Sequence, residues 1–226
     1  MLDVSWQYIF DPILALTSLP YVLKGLGYTL GISVTSMILG MALGFLLAIM
    51  RMSNYKVFNV LSRIYISFMR GTPLLVLLFI LYFGFPFIGI QFSAVNAAII
   101  GFSLSSSAYI AEILRSALNA VDKGQWEAAY ALGLKWAVVM RKIIVPQAMR
   151  IAVPPLSNVL LDLIKGTALA AMITVPEMFQ QAKIVGGREF DYMTMYILVA
   201  LVYWAICSLF ALFQNYLEKK MAVYTN

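Results

Sequence analysis

Gly124-Gln125-Trp126-Glu127-Ala128-Ala129-Tyr130-Ala131-Leu132-Gly133, followed by Arg141-Lys142-Ile143-Ile144-Val145-Pro146, decides how this chain is read. In a sequence that is 62% hydrophobic it is the longest charged, helix-favouring segment between two apolar spans. It is too polar to sit in lipid and too short to be a domain. Its composition predicts a short helix over Gln125 to Leu132. Gly124 is expected to end the preceding helix in a left-handed backbone, and Gly133 to make the turn after the short one. The small pair Ala128-Ala129 suits close seating in a groove of a partner, with Glu127 available for a charged contact. A second reading stays open on these residues alone, an amphipathic loop resting on the bilayer surface.

Outward from this stretch the chain is apolar. Its mean hydropathy is +0.88 with only 12% charged residues, which places 226 residues in the integral-membrane class. The core of a soluble domain this size could not enclose so much apolar surface. A net charge of +6 invites a nucleic-acid reading, but the bases are scattered at loop ends without a run of five, as membrane topology requires. One cysteine, Cys207, and no histidine argue against disulfide frameworks, zinc sites and histidine-based catalysis. No cleavable leader is expected, since the first twenty residues lack a basic start and carry Asp3 and Asp11.

Residues 1–20, with Trp6, Tyr8, Phe10 and Leu14 among acids and a proline, read as an interfacial segment. Gly25 to Met50 is free of charge and long enough, at about 39 Å of helix, to span a bilayer. Gly27 with Gly31 and Gly40 with Gly44 either admit a neighbouring helix or are tolerated glycines. A second span is expected over Gly71 to Ile90, entered through Arg63 and Arg70, with Pro73 breaking the helix near that entrance. The third runs from Phe92 to Ala111 and ends at Glu112 and Arg115. The fourth starts near Ile151, contains Pro154-Pro155 and ends about Val175. A polar outer segment, Pro176 to Asp191, precedes a fifth span over Tyr192 to Leu217.

Five spans put the termini on opposite sides. With the N-terminus outside, the cytosolic segments hold nine bases and the outer ones only Lys24, Lys183 and Arg188. The positive-inside rule therefore predicts N-out, C-in, with a cytosolic loop over 119–150. No Gly-x-x-x-x-Gly-Lys-Ser/Thr occurs, so no Walker loop is expected to bind ATP here. No convincing internal repeat points to a carrier built from repeated halves.

Charges inside spans pair or line a water-filled path, because an unpaired charge in hydrocarbon is costly. Glu112 and Arg115 are spaced to pair on one helical face, either as a helix-end ion pair or beside a path. Asp162 and Lys165 repeat the spacing deeper in the fourth span, near Asn158 and Thr167. Arg70 either faces a path or holds lipid phosphate.

The spacing Glu-Ala-Ala, three residues, Gly, nine residues, Ile-x-Val-Pro resembles the EAA loop of ABC importer permeases, whose last positions read Ile-x-Leu-Pro. Arg70-Gly71-Thr72-Pro73-Leu74-Leu75, Ala108-Tyr109-Ile110-Ala111-Glu112-Ile113-Leu114-Arg115 and Pro154-Pro155-Leu156-Ser157-Asn158 are similar to blocks of the polar amino-acid uptake branch. The likeness extends over about residues 20–217. The run Asp122 to Ala129 leans toward the cystine permeases, although permeases for glutamine, arginine or histidine look alike. One departure stands out. The family commonly reads Lys-Asp-Thr/Ser-Ser-Leu where this chain has Lys165-Gly166-Thr167-Ala168-Leu169.

What the resemblance implies is an all-α integral membrane protein of five transmembrane helices, type I ABC importer permease-like, one transmembrane domain over 1–226. It implies a bacterial cell-membrane location. Gly124, Gln125, Trp126, Glu127, Ala128, Ala129, Gly133 and Pro146 would couple to an ATPase. Asp162, Lys165, Thr167, Asn158, Arg70 and Glu112 would line the substrate path, the Asp162–Lys165 pair matching both charges of an amino acid. Expected partners are two ATPase subunits that bind ATP and Mg, an external substrate-binding protein, a second permease copy (the same or a similar chain) and membrane lipids, with no nucleic acid. No cofactor, metal or catalytic residue is expected in this chain. Two other classes compete with it: an autonomous carrier or channel, which has no use for a helical docking loop, and a membrane-embedded enzyme using Glu112 or Asp162.

Overall fold

The computed structural model describes residues 9–222, with side chains to residue 216, and all its regular structure there is helical. Trp6 and Tyr8 of the predicted interfacial segment, and the side chains of Lys219 and Lys220, lie outside these described residues. The helices are α1 (Pro12–Leu23), α2 (Leu26–Met52), α3 (Lys56–Gly71), α4 (Leu74–Phe79), α5 (Ala94–Asn119), α6 (Lys123–Ala131), α7 (Trp136–Val139), α8 (Val145–Gly166), α9 (Met178–Glu189) and α10 (Tyr192–Ala222). A π turn, Ile80–Gly84, and a 3-10 turn, Phe85–Ile88, extend α4. A second π turn, Met140–Ile144, joins α7 to α8, and a 3-10 segment, Thr167–Ile173, extends α8.

Among the described residues, four helical stretches are long and apolar enough to cross a membrane: Leu26–Met52, Ala94–Asn119, Trp136–Ile173 and Tyr192–Tyr216. The pair Lys56–Gly71 and Leu74–Ile88 counts as a fifth, broken span. The break predicted at Pro73 falls between these two helices. Pro73 has no N–H to continue α3, which closes with the Thr72 N–H on the Phe68 carbonyl, 3.0 Å away. The helix that carries the fourth span starts well before the predicted span start near Ile151. Helix begins at Trp136 and runs through Pro146, which sits in the first turn of α8, where a missing N–H does least harm. The loop predicted over 119–150 is non-helical only on either side of α6.

The chain divides into two compact units, and α2, α5, α8 and α10 each contribute to both. The first unit holds residues 1–36, 74–102 and 161–211. Its core joins Ala15 and Val22 of α1 to Met178, Ala182 and Val185 of α9 and Met195 and Val199 of α10. The predicted outer segment is therefore mostly helix. Asp11 caps α1, accepting from the Ile13 and Leu14 N–H groups at 2.8 and 3.1 Å, and its own N–H donates to Thr194 Oγ1 at 2.9 Å. Ile13 and Leu16, on the other face of α1, stay exposed, as an interfacial helix requires.

The second unit holds residues 37–73, 103–160 and 212–226. Here α2 meets α5 through glycines. A side chain at Gly44 would meet Ile110 Cγ2 at 2.7 Å, and one at Gly40 would collide with Ser106. Gly27 and Gly31 have open space instead, so only the later pair supports close packing of helices within this chain. A second core cluster carries Ala117, Val121, Ala129, Val139, Ile144 and Ala148.

Candidate functional site

The coupling stretch forms α6, and its ends are built by side chains and backbone together. Asp122 is the N-cap; its Oδ1 accepts the Gly124 N–H at 2.7 Å. Gly124 therefore opens the helix. The expectation that it ends the preceding one is corrected: α5 stops earlier, at Asn119, and Gly124 is not among the described residues of positive φ. Gly133 does supply the turn, at φ +71°. Its N–H bonds to the Tyr130 carbonyl at 2.9 Å and that of Leu134 to the Ala129 carbonyl at 3.2 Å, the two bonds of a Schellman cap.

The two faces of α6 differ. Ala129 is buried against Val139 and Ile144, so the expected outward Ala128-Ala129 pair is reduced to Ala128. Trp126 is half-buried against the same cluster and lies 6.5 Å from the Tyr130 ring. Glu127, Ala128 and Leu132 point out, and Glu127 makes no ion pair among the described residues. Gln147 of α8 donates through Nε2 to Gln125 Oε1 at 3.1 Å. The helix is thus fixed on its inner face and bare on its outer one.

Of the expected path residues, Asp162 and Lys165 do pair, Nζ to Oδ1 at 2.9 Å, with side chains 73% and 58% exposed. Asn158, one turn earlier on α8, is exposed too. Thr167 does not share this exposure. It is buried, its hydroxyl donating to the Ile164 carbonyl at 2.7 Å and lying 3.3 Å from the Tyr203 hydroxyl. Gly166 faces Phe102, whose ring a Cβ would approach to 3.1 Å.

Sequence reasoning missed the network beyond Thr167. Glu177 is fully buried and caps α9, accepting from the Phe179 and Gln180 N–H groups at 2.9 and 2.7 Å and from the Tyr203 hydroxyl at 2.6 Å. Burial pushes its carboxyl above the usual carboxylate range against the pull of these donors. Gly25 lies against the Glu177 backbone with no room for a side chain. The signal available in the sequence was an acid at a helix start after proline, Pro176-Glu177.

Arg70 and Glu112 are brought together in the second unit, with neighbours the sequence did not single out. Glu112 accepts from Arg115 Nη2 at 2.8 Å and Nε at 3.2 Å, and Arg51 Nε stands 3.7 Å away. The predicted Glu112–Arg115 pair is formed. Arg70 lies over the Tyr109 ring at 5.4 Å. A cavity of about 500 Å³ is lined by Arg51, Arg63, Ser67, Arg70, Tyr109 and Glu112. Another of about 490 Å³ shares Arg70, Tyr109 and Glu112 but is walled by Ile113, Ile151 and Val159. Among the described residues no cluster of acids or cysteine is arranged to hold a metal.

Apolar helices long enough to cross a membrane, with a capped helix presented from a loop between two of them, have the form of a transporter's membrane component. The chain belongs to the family described as binding-protein-dependent transport system inner membrane component, whose model matches residues 40–223, and is an ABC importer permease. It is 65% identical over 222 residues to a probable amino-acid ABC transporter permease protein, YckA, of Bacillus subtilis, covering 98% of each chain. It is 40% identical over 206 residues to the L-cystine transport system permease protein TcyB of the same organism, covering 91% of this chain and 88% of that one. The crystal structure of an amino acid ABC transporter with histidines superposes with a TM-score of 0.89 at 33% identity, over 93% of this chain and 98% of that one.

Proposed function

We propose that this chain is the permease of an ATP-driven importer of polar amino acids, L-cystine foremost, working as a dimer with two ATPase subunits. The observation that carries the reading is α6, clamped inward by Ala129 and Gln125 and bare outward at Glu127, Ala128 and Leu132. A helix so built transmits a push. Its inner face packs on Val139 and Ile144, and from there helix continues through α8 to Gly166. ATPase closure against α6 would move α8 and switch the path from inward- to outward-open; hydrolysis, with ATP and Mg in the partner, would reset it. The chain itself performs no chemistry.

The path is assigned to the exposed face of α8. Charged side chains left facing hydrocarbon cost about 2.5–3.5 kcal/mol each, so Asp162 and Lys165 are better accommodated along a water-filled path shared with a second permease copy. Together with Asn158 they offer an anion, a cation and an amide to a zwitterion. Thr167 is buried and so lies off this exposed face. The cystine preference rests on the likeness to the cystine permease together with the Asp122 to Ala129 run. An external binding protein delivers substrate. The N-terminus lies outside and the C-terminus in the cytosol, which places α6 with the ATPases. Uptake by cells carrying Glu127→Lys or Gly133→Trp tests the coupling role. Loss of uptake with normal membrane levels supports it, and wild-type uptake in both variants refutes it.

A further inference from the structure

We propose that the arginine cavity between α3 and α5 binds the phosphate of an anionic phospholipid headgroup. Arg51, Arg63 and Arg70 line it against one carboxylate, Glu112, which Arg115 and Arg51 already occupy. Arg63 and Arg70 form no direct ion pair among the described residues, Arg70 acting on Glu112 only from a distance. The site is therefore short of an anion and has no free acid to hold an ammonium group, which disfavours a zwitterionic amino acid as its occupant. Guanidinium groups take phosphate oxygens in a fork, and Ser67 adds a hydroxyl to the same wall.

The shape of α3 names the source. Val57, Val60, Leu61, Ile64 and Phe68 form one exposed apolar stripe at helical spacing, while Ser62 and Ile66 are buried. Arg63, Ser67 and Arg70 run along the flank between them. An amphipathic helix with aliphatic and aromatic residues on one side and arginines at its edge lies at the depth of the headgroups, apolar side in the acyl region. A phosphate attached to two acyl chains satisfies both faces together; a free phosphate satisfies only the arginines.

The test measures lipid retained by the purified full-length permease by native mass spectrometry, with phosphatidylglycerol or phosphatidylethanolamine supplied. It does not depend on transport, so its failure is separable from failure of the importer reading. The wild type is expected to retain phosphatidylglycerol in preference. Arg63→Gln and Arg70→Gln should each lower that retention by about fivefold, the effect of one basic contact at a membrane surface. Arg63→Lys should keep most of it, as should Lys142→Gln, an exposed base away from the cavity. The single Arg63→Gln change removes an exposed side chain and guards against a folding artefact. Equal retention of the two lipids, or retention unchanged in Arg63→Gln and Arg70→Gln, overturns the proposal. Displacement of the lipid by millimolar inorganic phosphate also overturns the lipid assignment and gives the arginines to a soluble anion.

Discussion

Glu177 ties the start of α9 to α10 in the first unit through three accepted hydrogen bonds. Its carboxylate satisfies two orphan N–H groups of α9 and fixes Tyr203 of α10, which in turn reaches Thr167. Glu177→Ala removes a helix cap, worth about 1–2 kcal/mol, and leaves a buried hydroxyl short of its acceptor. A lower melting temperature for the purified permease is the expected result. The pH dependence has a defined sign. Because burial raises the carboxyl above its ordinary range, the folded state holds this proton more tightly than the unfolded chain. Its contribution is full below the ordinary carboxylate range and is lost as pH rises through the folded value, with Lys183 opposing the shift. The wild type should therefore gain stability relative to Glu177→Gln as pH falls from neutral to mildly acidic. A difference independent of pH contradicts the assignment. Only the cap is signalled in the sequence, by Pro176-Glu177; the network is not, because Glu177, Tyr203 and Thr167 are brought together only by folding. The Glu112–Arg115 and Asp162–Lys165 pairs were legible, because both obey a local spacing.

At the scale of elements, prolines decide where the helices change. Each π turn ends two residues before a proline. The Phe85 N–H reaches the Ile80 carbonyl ahead of Pro86, and the Val145 N–H reaches the Met140 carbonyl ahead of Pro146. The wider turn lets the chain carry on in helical form past a residue that cannot donate. The sequence announces the prolines but not this remedy, by which helix already runs from Trp136 ahead of the span predicted to start near Ile151. Gly124 shows a second limit. A glycine between two helices fits either the end of one or the start of the next, and Asp122, two residues before it, settles the matter by capping α6. Asp122→Ala should therefore weaken α6 by about 1 kcal/mol and reduce coupling without removing the permease from the membrane. Uptake lowered at unchanged membrane abundance checks this; unchanged uptake shows that partner contacts alone hold the helix.

On the scale of the whole molecule, class and span count were read from composition and charge-free lengths, and the family from motifs spread along the chain. The glycine contacts were half legible: Gly40 and Gly44 pack on α5 while Gly27 and Gly31 do not, a difference no local pattern encodes. The Asp162–Lys165 pair carries the prediction for selectivity. Asp162→Ala should lower uptake of one amino acid while ATP hydrolysis by the complex persists, and uptake unchanged for every amino acid would make the pair structural. The central claim, an ATP-driven permease that works only with its partners, is tested most directly by reconstitution. Labelled cystine uptake would be followed in proteoliposomes carrying this chain alone or the chain with its ATPase and binding protein, each with and without ATP. The account predicts uptake only in the full assembly with ATP. Uptake by the chain alone, without nucleotide, would contradict it.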